Sequence, residues 1–201
     1  FYLNLKTIES KELPVEYILY AFPVSQSWAV GTGLYAAGGS SDGISWMYKN
    51  SSNTSSTWYA NINPELNVTG SNYFLNNTSA SFMRGGGTWY YSAPSSCVNN
   101  VSLSFCSTIS GSPYLASQSF NHTTSDVSMD VTKMCQAWIC GCIPNEGIIL
   151  MTSEELNPSA SMNLKFFSRE TNTIYSPYLD MCWDDCSLST SSLSPVTARS
   201  E

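Results

Sequence analysis

The chain has 201 residues, enough to bury the core of one large domain. Its net charge of −7 and pI near 4.6 give a surface that repels phosphate, which argues against nucleic acid as a partner. Charged residues make up only 11%, against about 25% in ordinary soluble domains, and Ser, Thr, Asn and Tyr supply the polarity instead. A surface with so little charge repulsion suits a protein packed against neighbours or working outside the cell. No apolar run approaches the ~20 residues that span a bilayer, and no signal peptide is visible. The chain opens at Phe1, directly in a strand-like pattern, and is expected to be processed or part of something longer.

The first 24 residues predict two strands. Leu3 and Leu5 alternate with Asn4 and Lys6, and the run from Val15 to Val24 is almost solidly apolar. Pro14 separates them. Trp28 and Trp46 flank a Gly-rich stretch, and both are expected in the core. That stretch carries no GK[ST] and opens no helix, so its glycines are turns and not a phosphate loop. Residues 50–80 are rich in Asn, Ser and Thr and predict surface loops around short strands. Sequons begin at Asn50, Asn53, Asn67, Asn76, Asn77, Asn100 and Asn121; they are glycosylation candidates only on a secretory route. After Gly85–Gly87, the pattern predicts Trp89 and Tyr91 in the core with Tyr90 outward. The alternative is an exposed aromatic platform for sugar rings, drawn from Trp58, Tyr59, Trp89 and Tyr90. Val101–Phe105 alternates as a half-exposed strand.

Residues 126–151 organise the rest. Val127 and Met129 alternate with Ser128 and Asp130 as a strand. Val131, Met134, Cys135 and Trp138 then follow at i, i+3, i+4 and i+7, the stripe of one short helix near 131–140. Asp130 is placed to cap it, Gly141 to end it in the left-handed region, and Pro144 to prevent continuation. Gly147–Met151 is a continuous apolar run, suited to a strand buried on both faces. Residues 178–184 alternate and predict a last core strand that includes Trp183. Residues 187–201 form a Ser-rich arm or linker outside the 1–186 domain.

Chemistry is sparse in this sequence. The lone His122 leaves no Ser-His-Asp or Cys-His arrangement, so no catalytic residue is assigned, and no cofactor is implied. Asp180, Asp184 and Asp185 could serve glycoside hydrolysis or offer oxygens to Ca²⁺, but a solvated acidic strand end is the favoured reading. Arg169 and Glu170 read as a buried ion pair anchoring a turn. The seven cysteines include no CxxC pair, which makes zinc a poor fit. Cys97 and Cys106 could bridge a hairpin, but the expectation is that most cysteines are small buried hydrophobes in a reducing compartment.

Several of these phrases resemble the DNRLRE family. They are Val127, Asp130-Val131-Thr132 and Ala137-Trp138, then Asn145, Gly147 and Ile148, then Ser168-Arg169-Glu170, then Pro177 and Leu179. The N-terminal Trp28 and Trp46 resemble that family's paired-tryptophan element. The resemblance spans roughly residues 1–185 and implies a jelly-roll β-sandwich of two antiparallel sheets, often called carbohydrate-binding-module-like. The wording of residues 21–33, 165–175 and 183–185 is similar to domains in structural proteins of tailed bacteriophages. That resemblance implies a non-enzymatic virion subunit, such as a head decoration, tail or fibre component, with copies of itself or other virion proteins as partners. The high cysteine count departs from the pattern and keeps two alternatives open: a secreted or cell-surface carbohydrate-binding module with a glycan partner, and an extracellular adhesin or filament subunit.

Overall fold

The computed structural model describes residues 1–11, 16–31, 42–45, 48–53, 55–58, 68–70, 86–93, 113–121, 126–152 and 163–182. The fold is all-β, with one short helix among the described residues. Its strands are β1 (Tyr2–Leu5), β2 (Thr7–Lys11), β3 (Glu16–Pro23), β4 (Val68–Gly70), β5 (Thr88–Tyr90), β6 (Ala116–Asn121), β7 (Val127–Asp130), β8 (Ile148–Thr152), β9 (Asn163–Phe166) and β10 (Tyr178–Asp180). The helix α1 spans Thr132–Ile139.

Every ladder between these strands is antiparallel, and they group into two layers. In the first layer the order is β10-β1-β7, and β2-β9 prolongs it beyond Lys6. The main-chain N–H of Phe167 donates to the Lys6 carbonyl, so β1 and β2 act as one strand with a break. The second layer is β6-β3-β8, and β5 joins it through a bridge from Trp89 to Val24. Gln118 sews the two layers together at one corner. Its side-chain amide donates to the Asp126 carbonyl and its oxygen accepts from Ser128 N–H, so a side chain replaces the missing ladder between β6 and β7.

The layers face each other across one core. Leu5, Val127 and Met129 enter it from the first layer, and Tyr17, Leu19, Ala21 and Phe120 from the second. Tyr17 and Phe120 are direct cross-strand partners and stack at 4.8 Å between ring centroids. A second cluster of Phe22, Trp89 and Met151 covers the opposite face of β3 and β8. This two-sided cover explains why the sequences of β3 and β8 are so solidly apolar: both of their faces are packed.

The helix closes one end. Met134, Cys135 and Ala137 are buried in the main core, and Trp138 packs against it half-buried. Asp130 accepts from Thr132 N–H at 2.9 Å, but the residue at the cap position is Val131, so the carboxylate works from one place earlier than the pattern predicts. The C-terminus is a full Schellman ending. Gly141 sits at φ +70°, its N–H donates to the Trp138 carbonyl, and Cys142 N–H donates to that of Ala137.

Four expectations are corrected here. Trp28 is 37% exposed, because its indole lies over the loop at Gly147 and not between the layers. Tyr90 is buried and Tyr91 exposed, because β5 is covered on both sides and the chain bends away after it. Residues 178–180 form a strand that is outermost among the described strands, with all three side chains exposed, not a core strand. Arg169 and Glu170 do pair, but at 86% and 68% exposure, so the contact is a solvated surface pair. Trp46, Trp183, Val101–Phe105 and the 187–201 arm lie outside the described residues.

Candidate functional site

The proposed sugar platform dissolves on burial. Trp58, Trp89 and Tyr90 are all in the interior, and a ring without an open face cannot stack on a ligand. Tyr59 lies outside the described residues. Trp58 instead lines a surface groove of about 550 Å³ with Val24, Trp28, Ile44, Gly87 and Ile149. The Trp28 Nε1–H donates to the Glu146 carbonyl at 2.8 Å, and the Trp58 Nε1–H to that of Ser45 at 3.1 Å. Both indole donors are therefore spent on main chain, and the groove is lined mainly by apolar side chains, with Ser45 among them. Gly87 makes its floor possible: at φ +84° it passes so close to β8 that an added Cβ would meet Ile149 Cδ1 at 2.6 Å.

The larger open surface is the β10–β1 side of the first layer. Antiparallel pairing sets Tyr2 opposite Asp180 and Asn4 opposite Tyr178, so these four side chains share the outward face. Leu3 and Leu179, directly opposite each other, point to the core side. Leu3 packs against the core, but Leu179 remains 48% exposed because the core cover ends before the last strand. Tyr178 is 53% exposed, and Ile174, Tyr175 and Met181 continue the patch on either side of β10. Tyr175 leans on Phe167 at 5.3 Å, which holds the preceding turn against β9.

One ion pair anchors this surface. Lys6 Nζ and Asp126 meet beside the break between β1 and β2, and Asp126 also accepts from Thr7 N–H at 3.1 Å. The hydrogen bond from Lys6, helped by that from Thr7, holds the Asp126 carboxyl below its ordinary range; Asp126 in turn raises Lys6. A carboxyl depressed on folding contributes stability above its unfolded pKa, near 4, and loses it as pH falls through the folded value. Asp126→Asn is therefore expected to lower Tm at pH 7 by no more than about 3 °C, since both partners are exposed, and the gap should close by about pH 2. A gap that persists unchanged in acid would assign the effect to the Thr7 and packing contacts instead. Nearby, the Thr132 hydroxyl holds Asp130 down in the same way, and burial pushes the Tyr114 phenol up to about 12.

The remaining candidates are scattered. Asp180 is exposed on β10, while Asp184 and Asp185 lie outside the described residues. Among the described residues no three His, Cys, Asp or Glu side chains converge as a metal site. Asn53 is exposed and Asn50 half-buried, each folded into a turn by its own side-chain oxygen, and Asn121 is exposed at the end of β6. Asn67, Asn77 and Asn100 lie outside the described residues.

The four described cysteines divide two and two, and Cys97, Cys106 and Cys186 lie outside the described residues. Cys140 and Cys142, at the end of α1, are both disulfide-bonded. Cys135 is free and buried, with its thiol pushed up by burial, and Cys182 is free and exposed just after β10.

No family model, curated protein or solved structure matches the chain.

The exposed tyrosines were missed because residues 178–184 alternate like a core strand. Two signals mark the edge nonetheless: Pro177 immediately before it, and Asp180 within it.

Proposed function

We propose that this chain is a non-enzymatic structural subunit of a virion, with the sandwich serving assembly or surface display. The observation that carries the reading is the uncovered β10–β1 side, where tyrosines and aliphatic side chains stand open in a chain with only 11% charged residues. Such a face is a natural place for a neighbour in a built particle. The disulfides at Cys140 and Cys142 agree with it, since bonded cysteines persist on particle exteriors and outside cells and are rare in the cytosol. Imaging of purified particles for repeated copies of this domain tests the reading. A chain recovered only as free monomer, never with particles, would overturn it.

The same disulfides favour a second reading, an extracellular filament or adhesin subunit. It predicts that the protein is found outside cells without any particle.

A further inference from the structure

We draw no further inference here: the strongest candidate, the groove between Trp28, Ile44, Trp58 and the outer side of β8, is a mainly apolar surface, and nothing in the structure shows what covers it.

Discussion

Replacing Trp89 with alanine is expected to cost the domain about 3–5 kcal/mol. The side chain has no exposed surface and lies in the cluster with Phe22 and Met151 that covers the second face of β3 and β8. Its ring stacks on Phe22 with centroids 5.5 Å apart. Its backbone also makes the bridge to Val24 that ties β5 to β3. Truncation removes the ring from an enclosed site lined by β3 and β8, so little of the void can collapse. Trp28→Ala is the internal comparison. That ring is partly in solvent and covers a groove, so its loss should cost on the order of 1 kcal/mol. Urea unfolding of both variants checks the pair: equal losses would mean that burial is not what separates the two tryptophans.

Breaking the disulfides at Cys140 and Cys142 is the second large effect. The two cysteines sit at the C-terminal end of α1, on either side of Gly141, and Cys140 has no exposed surface. Loss of a native disulfide typically costs 2–5 kcal/mol, mainly because the unfolded chain regains freedom. Cys140→Ser also buries a hydroxyl where a sulfur had been, which adds to the loss. Melting in the presence of reductant should fall well below melting without it, and the Cys140→Ser, Cys142→Ser double variant should melt low and no longer respond to reductant. A melting temperature indifferent to reductant in the wild type would exclude a structural role for these bonds. Cys182→Ser, on an exposed free thiol, should leave stability unchanged and serves as the control.

Much of the architecture was legible along the chain. The stripe at Val131, Met134, Cys135 and Trp138 lies on α1, and Gly141 ends it in the left-handed region as its position implied. The apolar run at Gly147–Met151 supplies most of the strand β8, Ile148–Thr152, which packs on both faces. The site was much less legible. Trp28 and Trp89 are the same residue type in similar Gly-flanked settings, yet one is half in solvent and the other enclosed. Tyr178 and Leu179 alternate as a core strand does, but nothing described covers them.

The order of residues by itself determined where strands and the helix form, because backbone periods of 2 and 3.6 and the conformations open to Gly and Pro act within a few positions. Only the tertiary structure decided which aromatic rings are inside and which cysteines are bonded. Burial depends on what arrives from far along the chain: Glu146 reaches Trp28 across 118 positions, and Asp126 reaches Lys6 across 120. The outermost place of β10 among the described strands was decided in the same way, by which strands pair across the sheet.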